Sequence, residues 1–462
     1  MQDTAIEIDT DLIRRFDRPG PRYTSYPTAD RFVEAYDAAA HAAWLGKREI
    51  GGFARPLSLY IHLPFCASLC YYCACNKIIT KDHGRSAKYL QYLEKELDLV
   101  CSQLQGDRLI TQMHWGGGSP TFLTHQEMSE LMAMLRKRFN FAPDGEYAIE
   151  IDPRTVRAAD IAQLAELGFN RMSLGVQDYD PAVQQAIHRI QPAPMTREVR
   201  KAARENGFKS VNFDLIYGLP KQSVESFSRT LDEVIAEAPD RIALYSYAHL
   251  PARFKSQRRI ADHAIPDADT KLKIFVHALT TLTNAGYVYI GLDHFALPGD
   301  ELAQALRSGR LHRNFQGYTT QSECDLLSLG ISAISKIGPT YSQNVHDVDE
   351  YYDILDQGHL PVVRGIELTR DDLARRAVIM GLMCQGELSM EAIEIAHLIN
   401  FNEYFATELA QLAEFVEAGL LEIDQGWITV TPRGRFFVRG IAMVFDRYLQ
   451  DGKARGKFSK LI

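Results

Sequence analysis

The sequence predicts an α/β fold, a partial or full (β/α) barrel, with an N-terminal arm and a mostly helical C-terminal domain. Three observations favour it. Short β-rich runs alternate with amphipathic helical runs from about residue 55 to 300, which is typical of parallel βαβ units. Six or seven such units in about 240 residues suit a barrel. No Gly-x-Gly-x-x-Gly follows the first strand, which disfavours an open dinucleotide-binding sheet, the structural alternative.

The elements of the barrel are predicted in chain order from hydrophobic periodicity. A helix is expected over 86–104, where apolar side chains recur at helical spacing, and further helices begin near His125 and span 269–285. The predicted strands are 57–64, 109–115, 146–152, 170–176, 210–218, 241–250 and 287–293.

Beyond residue 300 the alternation stops, and residues 313–338 are expected to pack on the barrel. The C-terminal region predicts helices with a β-hairpin at 420–431, an arrangement that fits either a winged helix or a helical cap. The predicted divisions are an arm at 1–54, the barrel at 55–300, a barrel extension at 301–365 and the helical domain at 366–462.

Charge and composition restrict the classes of function. The 462 residues include 51 Lys and Arg against 59 Asp and Glu, a formal charge of −8, which disfavours general nucleic-acid binding. Acidic residues replace the apolar run of a signal peptide near the N-terminus, and no apolar stretch approaches the roughly 18 residues of a membrane span. We therefore expect a cytoplasmic protein without a membrane span.

Four of the seven cysteines form one loop directly after the first predicted strand. Cys66, Cys70, Cys73 and Cys75 have the spacing C-x3-C-x2-C-x-C. Zinc sites prefer two separated pairs of ligands, and ferredoxin loops use C-x2-C-x2-C with a remote fourth cysteine. Three thiolates on one tight loop can instead bind three irons of a cubane cluster and leave the fourth iron open to a small-molecule ligand.

Motifs from near the N-terminus to about residue 335 carry a family resemblance. The chain resembles the radical S-adenosylmethionine superfamily and, within it, the bacterial oxygen-independent coproporphyrinogen III oxidases, also called dehydrogenases. The motifs are RYTSYP (22–27), YIHLPFCASLCYYCACNK (60–77), HWGGGSPT (114–121), IEIDPR (149–154), SLGVQD (173–178), DLIYGLP (214–220), YAHLP (247–251), DHFA (293–296), HRNFQGYTT (312–320) and GISAIS (330–335).

The resemblance implies a radical S-adenosylmethionine barrel, one [4Fe-4S] cluster with a cysteine-free unique iron, and two molecules of S-adenosylmethionine. The implied cluster ligands are Cys66, Cys70 and Cys73. The implied contacts of the first S-adenosylmethionine are Tyr60, Gly117, Glu150 and Ile334. Those of the second are Tyr72, Gly118, Ser119, Gln177, Arg189, Asp214 and Ala248. The polar groups among them stand at predicted strand ends, where barrel active sites lie.

Three residues are candidates for catalysis. Tyr60 and His62 precede the cysteine loop, and Cys75 is not needed as a cluster ligand. Cys75 is either a reactive, hydrogen-donating thiol or a buried spectator, and His62 is either a structural strand histidine or an acid–base group. Arg189 suits a ligand carboxylate, with a surface salt bridge as the alternative.

The implied substrate is coproporphyrinogen III, a tetrapyrrole with four carboxylates, two of whose propionates become vinyl groups. Its candidate cationic partners are Arg22, Arg154, Arg253 and Arg313. A flavodoxin- or ferredoxin-type electron donor and an electron acceptor are also implied, and a monomer is expected. Two alternatives stay open, namely a haem chaperone of the related radical branch and a ferredoxin-like electron carrier.

Overall fold

A computed structural model of the protein describes residues 10–16, 18–49, 55–321 and 324–450. The strands, numbered along the chain, are β1 (Leu57–Leu63), β2 (Phe65–Cys66), β3 (Ile78–Ile79), β4 (Leu109–Gly117), β5 (Asn140–Ile151), β6 (Arg171–Gln177), β7 (Ser210–Tyr217), β8 (Arg241–Ser246), β9 (Val288–Gly291), β10 (His294–Ala296), β11 (His312–Asn314), β12 (Gly317–Thr319), β13 (Asp325–Leu329), β14 (Ile334–Ile337), β15 (Thr340–Asn344), β16 (Val362–Glu367), β17 (Glu387–Ser389), β18 (Leu421–Asp424) and β19 (Trp427–Val430).

The helices are likewise numbered along the described chain. They are α1 (Thr10–Phe16), α2 (Ala38–Leu45), α3 (His83–Gln103), α4 (His125–Arg138), α5 (Ala158–Glu166), α6 (Pro181–Ala186), α7 (Ala193–Glu205), α8 (Val224–Glu237), α9 (Ala268–Asn284), α10 (Glu301–Arg307), α11 (Val348–Asp356), α12 (Arg370–Gln385), α13 (Met390–His397), α14 (Phe401–Tyr404), α15 (Ala406–Glu417), α16 (Val438–Met443) and α17 (Arg447–Gln450). Short 3₁₀ turns include Pro120–Phe122 and Pro153–Thr155.

The chain divides into two units, each built from separate stretches of sequence. The barrel unit contains the described residues of Phe32–Ile274 and Glu323–Glu367. The helical unit contains those of Met1–Arg31, Phe275–Ser322 and Leu368–Ile462. The division into four segments along the chain stays a prediction.

The sheet of the barrel unit confirms the predicted fold class. Its strand order is β16-β15-β14-β13-β1-β4-β5-β6-β7-β8, and every pair from β13 to β8 is parallel. The strands from β4 to β8 lie side by side in the order of the sequence. In a doubly wound fold the strand order would reverse part-way across the sheet. The order is linear within this unit, so the barrel is partial. The side chains of β1 and β7 are almost all buried, as expected for central parallel strands.

Helix starts in this unit have clear local causes. The side chain of Asp82 accepts a hydrogen bond from the Gly84 N–H and caps α3. Tyr89, Leu93 and Leu97 follow at helical spacing and are buried. Thr124 and Glu127 form a capping box on α4, which satisfies two N–H groups at the start of the helix.

The bounds of two predicted strands differ clearly from those in the structure. The strand predicted at 146–152 begins at Asn140, and the strand predicted at 241–250 ends at Ser246. The strand predicted at 287–293 is present as the shorter β9, which forms an antiparallel hairpin with β10. The prediction of a parallel strand there is therefore wrong. A single strand and a hairpin have the same apolar alternation, and only the chain reversal between Gly291 and His294 distinguishes them.

The segment expected to pack on the barrel contains a strand of its sheet. All five residues of β13 are buried, and β13 pairs in parallel with β1, from Leu57 with Asp325 to Ile61 with Leu329. Strands β14, β15 and β16 then continue the sheet in antiparallel order. Five-residue strands are too short for a reliable period.

The helical unit joins sequence-distant parts of the chain. The hydroxyl of Tyr23 donates to Asp446 at 3.0 Å, and the ring of Phe16 stacks on that of Phe415 at 4.8 Å. The predicted hairpin near 420–431 is present as β18 and β19, and β17 extends it to three strands. No helix among the described residues is long and apolar enough to cross a membrane.

A buried ion pair anchors β13. The guanidinium Nε of Arg48 lies 3.0 Å from Asp325 Oδ2, and both side chains are almost fully buried. Arg48 also donates to the carbonyl oxygens of Gln105 and Asp107 at 3.3 and 3.2 Å. We expect Arg48→Met to lower the free energy of unfolding by about 3–5 kcal/mol, because Asp325 would stay buried without its cation.

Urea denaturation followed by circular dichroism measures this change. Lys201→Met is the matched control, since Lys201 and Glu205 form an exposed pair 3.8 Å apart that should contribute less than about 1 kcal/mol. Equal effects of the two substitutions would contradict the role of the buried pair.

Candidate active site

The cysteine loop begins where β2 ends. Strand β2 pairs in parallel with β3, with Phe65 opposite Ile78 and Cys66 opposite Ile79, which closes residues 67–77 into a loop. Cys70 is buried, Cys66 and Cys73 are half-buried, and Cys75 is exposed. The structure therefore brings all four predicted cysteines to one loop after the central strand β1.

Two arginines face the sulfur of Cys70. Arg154 Nη2 lies 3.4 Å and Arg189 Nη1 lies 3.6 Å from Cys70 Sγ. Asp152 holds both guanidiniums, at 2.6 Å from Arg154 and 3.2 Å from Arg189. Burial opposes the charge of Asp152, but hydrogen bonds and attraction from the two arginines lower its pKa below the usual value. The site thus places positive charge where thiolates are expected.

The three predicted ligands influence one another's ionisation. Burial, and then the neighbouring Cys73 and Cys70, raise the pKa of the Cys66 thiol to about 12. A hydrogen bond from Cys75 lowers the pKa of Cys73 to about 6, assisted by Lys77. Because ionising one thiol opposes ionising the next, the loop needs an added cation to hold three thiolates together.

These residues fit an iron–sulfur cluster better than a single metal ion. Among the residues that the structure describes, no three His, Cys, Asp or Glu side chains converge closely enough to bind one ion. In a cubane cluster each thiolate binds a different iron, so the sulfurs stand further apart. Three thiols on one loop, with two guanidiniums beside Cys70, are consistent with such a cluster.

The glycine turn at the end of β4, residues 116–118, packs directly against the junction of β1 and β2 that precedes the cysteine loop. The N–H of Gly118 donates to Leu63 O, and the N–H of Ser119 donates to Phe65 O, both at 2.8 Å. A Cβ on Gly118 would lie 2.6 Å from the backbone of Pro64, and Gly117 has a φ of +114°. Only glycine permits this approach of two backbones.

The implied contacts of the first S-adenosylmethionine adjoin this turn. Glu150 Oε2 accepts from the N–H of Gly117 at 3.2 Å, and Oε1 lies 3.1 Å from His114 Nε2. Desolvation opposes ionisation of Glu150, but these partners lower its pKa below the usual value. The Tyr60 ring stacks on His114, and its hydroxyl lies 3.2 Å from His62 Nδ1. Tyr60, His62, Gly117 and Glu150 therefore form one cluster.

His62 and Tyr60 are both neutral near pH 7. Burial lowers the pKa of His62 to about 4, and its Nε2 is 3.1 Å from the Asn76 carbonyl oxygen. Burial, and then Glu150, raise the pKa of Tyr60 well above its usual value. These two residues can therefore donate or accept hydrogen bonds without carrying charge.

The implied contacts of the second S-adenosylmethionine lie along neighbouring strand ends. Asp214 on β7 accepts from Ser173 at 2.7 Å and from Asn212 at 2.9 Å, and burial raises its pKa to about 6. Gln177, at a register irregularity of β6, has a φ of +66° and is buried. A bulge of this kind redirects a side chain at a strand end.

Gln257 links two further members of this set. Its Nε2 donates to the carbonyl oxygens of Tyr72 at 3.0 Å and Ala248 at 3.1 Å. The adjacent Ser256 donates to the carbonyl oxygen of Cys73 at 2.9 Å. The segment after β8 thus holds the cysteine loop in place, a function that its sequence did not indicate.

Arg189 is buried, which contradicts the alternative of a surface salt bridge. It is 5% exposed, and besides Asp152 and Cys70 it donates to Gly175 O at 2.6 Å and to Gln191 Oε1 at 3.1 Å. A ligand carboxylate at Arg189 would therefore share donors with Asp152.

Ile334 is the first residue of β14, directly after a loop that a buried carboxylate anchors. Glu96 on α3 accepts from the Gly330 N–H at 2.8 Å, from Asn344 at 2.6 Å and from the Tyr351 hydroxyl at 2.7 Å. The hydroxyl of Tyr89, also on α3, accepts from the Ile331 N–H and donates to the carbonyl oxygen of His62. Helix α3 thus ties the loop before Ile334 to strand β1.

The four arginines predicted as candidates for the substrate carboxylates fall in different units. Arg154 and Arg253 belong to the barrel unit, where Arg253 is exposed. Arg22 and Arg313 belong to the helical unit. Arg22 pairs with Asp293 at 2.7 Å, and Arg313 is buried over the ring of Tyr318.

Sequence reasoning missed four residues of the site as built: Glu96, His114, Asp152 and Gln257. His114 and Asp152 stand inside quoted motifs, so their positions at strand ends were the available signal. The sequence contains no signal for Glu96 or Gln257. A charged residue in a helix and an amide in a loop usually lie at the surface, and only the fold shows that these two are buried.

Known proteins resemble both parts of the chain. Residues 60–234 match the Radical SAM superfamily, and residues 368–437 match the HemN C-terminal domain. The oxygen-independent coproporphyrinogen III oxidase of Pseudomonas aeruginosa is 50% identical, and the match covers 100% of both chains. The enzyme of the same name from Escherichia coli K12 is 45% identical over 99% of both.

The chain belongs to the oxygen-independent coproporphyrinogen III oxidase family.

A solved structure agrees with this family. The coproporphyrinogen III oxidase HemN from Escherichia coli, described as a radical SAM enzyme, superposes with a TM-score of 0.91 at 45% identity. The match covers 96% of this chain and 100% of the other. Membership in this radical enzyme family implies a [4Fe-4S] cluster and S-adenosylmethionine, in agreement with the sequence prediction.

The contact between Gly118 and Pro64 yields a prediction for ligand binding. We expect Gly118→Ala to weaken S-adenosylmethionine binding about tenfold or more, because an added methyl group would push the glycine turn away from the junction of β1 and β2. Equilibrium dialysis against the reconstituted protein measures the affinity. Gly299→Ala is the control, since nothing lies within 4 Å of its added Cβ. Unchanged affinity in Gly118→Ala would contradict the tight approach.

The buried Glu96 yields a pH-dependent prediction. Burial raises its pKa to about 7 despite three hydrogen-bond donors. The folded chain therefore holds a proton that the unfolded chain releases between pH about 4.5 and 7, so stability from this group is lost as pH rises through that window. We expect the unfolding free energy of the wild type, relative to Glu96→Gln, to fall by roughly 3 kcal/mol. Denaturant titrations across pH 4.5–8 test it; a pH-independent difference would contradict it.

Proposed function

We propose that this chain catalyses the oxygen-independent oxidative decarboxylation of two propionate side chains of coproporphyrinogen III to vinyl groups, with protoporphyrinogen IX as the product. The single observation that carries the proposal is the full-length similarity to oxygen-independent coproporphyrinogen III oxidases, with 50% identity to the enzyme of Pseudomonas aeruginosa. The geometry of the cysteine loop supports it, because three thiols beside two guanidiniums suit a cluster that does chemistry rather than structure alone.

Cys66, Cys70 and Cys73 would hold the cluster, with one iron left for the amino and carboxylate groups of S-adenosylmethionine. When bound, the reduced cluster supplies the electron that cleaves S-adenosylmethionine and so provides the radical that removes hydrogen from the propionate β-carbon. Arg154 and Arg189 would offset the negative charge of the thiolate at position 70.

The first S-adenosylmethionine would bind at Tyr60, Gly117, Glu150 and Ile334. Glu150 stays ionised and can accept hydrogen bonds from an ammonium or ribose hydroxyls. Its side chain is 43% exposed, so part of it is accessible to a ligand. The glycines of the turn bring the backbone close to Glu150, His62 and Pro64, which sets the position of Glu150 for a ligand.

The second S-adenosylmethionine would bind along Tyr72, Gly118, Ser119, Gln177, Arg189, Asp214 and Ala248. Asp214 has a pKa of about 6 and can accept from ribose hydroxyls at neutral pH. Arg189 would attract a carboxylate while it remains held by Asp152.

Proton and hydrogen transfer would involve Tyr60, His62 and Cys75. The hydrogen bond to Cys73 raises the pKa of Cys75 well above its usual value, so the thiol keeps its hydrogen near pH 7. His62 is neutral, because burial lowers its pKa to about 4, and it can orient the Tyr60 hydroxyl, which lies 3.2 Å from its Nδ1. A thiol hydrogen at an exposed position beside the cluster loop suits donation to a substrate intermediate.

The overall reaction needs a one-electron donor of flavodoxin or ferredoxin type and an electron acceptor. We further propose a monomeric protein of the cytoplasm. Arg22, Arg154, Arg253 and Arg313 remain the candidates for the substrate carboxylates. Of these, Arg154 is already committed to Asp152 and Cys70, so it is the weakest candidate.

Anaerobic reconstitution tests the proposed function. With iron, sulfide, S-adenosylmethionine, a reductant and an electron acceptor, we expect conversion of coproporphyrinogen III to protoporphyrinogen IX, followed by chromatography after oxidation to porphyrins. Cys66→Ser should lose the cluster absorbance and the activity, whereas Cys101→Ser should retain both. Stoichiometric haem capture without decarboxylation would overturn the proposal in favour of a haem chaperone.

A further inference from the structure

A cavity of about 450 Å³ lies beside the cysteine loop, and its lining includes Ser119, one of the implied contacts of the second S-adenosylmethionine. Ala67, which directly follows Cys66, is exposed and lines it. Thr155, which also lines it, directly follows Arg154, whose guanidinium touches Cys70 Sγ. The cavity is therefore linked to Cys66 through the next residue in the chain, and to Cys70 through the side chain of Arg154.

An aromatic stack leads from the cavity toward the cluster loop. The exposed ring of His83 stacks on Phe122 at 4.6 Å with an interplanar angle of 20°. Phe122 in turn stacks on Phe65 at 5.5 Å and 29°. Phe65 is 1% exposed and directly precedes Cys66. The stack is therefore a continuous aromatic contact from the exposed ring of His83 to the residue that precedes Cys66.

The rim of the cavity is basic in a chain whose formal charge is −8. Lys81 and Arg157 are exposed on it, together with His83 and His125. The carboxylate among the lining residues, Asp160, lies 3.0 Å from His125 and also accepts from the backbone N–H of Arg157. Apolar side chains form the floor, namely Phe122, Leu123, Met128, Val156 and Leu164.

The rim cations are Lys81 and Arg157, of which Arg157 Nε lies 3.8 Å from Asp160 Oδ2. Lys77 instead donates to the carbonyl oxygens of Cys73 and Cys75, and Lys88 lies over the ring of Tyr352. An apolar floor with a cationic rim is complementary to an acidic partner that presents an apolar cofactor edge.

We propose that this cavity is the docking surface for a small acidic electron-transfer protein with a one-electron cofactor at its surface. The inference rests on the proposed function, which requires one electron to enter the cluster. In the step, the reduced partner loses one electron and the cluster gains it; no bond forms or breaks and no proton moves. The cations of the rim attract the partner, and Ala67, Thr155 and the aromatic stack bring its cofactor near the ligands.

Stopped-flow reduction of the reconstituted holoenzyme by a reduced acidic flavodoxin tests the proposal. The variant is Lys81→Glu/Arg157→Glu. Its control is Lys137→Glu/Lys201→Glu, which reverses two exposed lysines elsewhere on the same unit. Bleaching of the cluster absorbance gives a second-order rate constant. We expect it to fall about tenfold or more in the cavity variant and to stay near the wild-type value in the control.

Salt and a small reductant separate docking from other effects. The difference between variant and wild type should shrink as ionic strength rises, because salt screens the rim charges. Dithionite should reduce all three proteins at the same rate, since it does not need the docking surface. If flavodoxin reduces the cavity variant as fast as the wild type, the proposal is wrong.

A milder variant controls for structural damage to the cysteine loop. Lys81→Gln/Arg157→Gln should give an intermediate rate with flavodoxin, together with the wild-type iron content and dithionite rate. Slow reduction by both reductants in this variant would assign the cations to the cluster site and overturn the docking proposal. Decarboxylation driven by dithionite tests the proposed function separately, so failure of one proposal is distinguishable from failure of the other.

Discussion

The parallel ladder from β13 through β1 to β8 is the constraint on which the site depends. Parallel strands bring their carboxyl ends to the same edge of a sheet, and each strand here ends in a turn that carries a polar group or exposed backbone. The cysteine loop, the glycine turn, Glu150 and Asp214 are therefore neighbours although they are separated along the chain. If the register slipped by one residue, side chains now at this edge would point to the opposite face.

Charge balance around Cys70 is the second determinant of the site. Asp152 fixes two guanidiniums against one sulfur, so the positive charge there is oriented before any ligand binds. Orientation of this kind lowers the reorganisation that binding or electron transfer requires. Arg154, which contacts Cys70, and Thr155, which lines the cavity beside the cysteine loop, are consecutive residues of one 3₁₀ turn. The cavity and Cys70 are therefore linked through this turn.

Helix α3 supports the site, although none of its residues is a proposed ligand of the cluster or a proposed contact of S-adenosylmethionine. Glu96 and Tyr89 accept from the backbone N–H groups of Gly330 and Ile331 in the loop after β13, and the Tyr89 hydroxyl donates to the carbonyl oxygen of His62. A buried carboxylate that is held by neutral donors is costly to desolvate, and its three hydrogen bonds offset that cost. Gly330 has room for no side chain between Tyr89 and His62, so this junction is sterically as well as electrostatically defined.

The spacing of the cysteines, the glycine turn and the strand–helix alternation were readable from the sequence, because each depends on residues close together in the chain. The fold class and the family followed from them. The parallel strand β13, the hairpin at 288–296, the pairing of Asp152 with two arginines and the burial of Glu96 were not readable. Except for the hairpin and the local pair of Asp152 with Arg154, each of these joins residues far apart in sequence. Only the tertiary structure decides which partners meet, because pairing and burial depend on the whole sheet rather than on local periodicity.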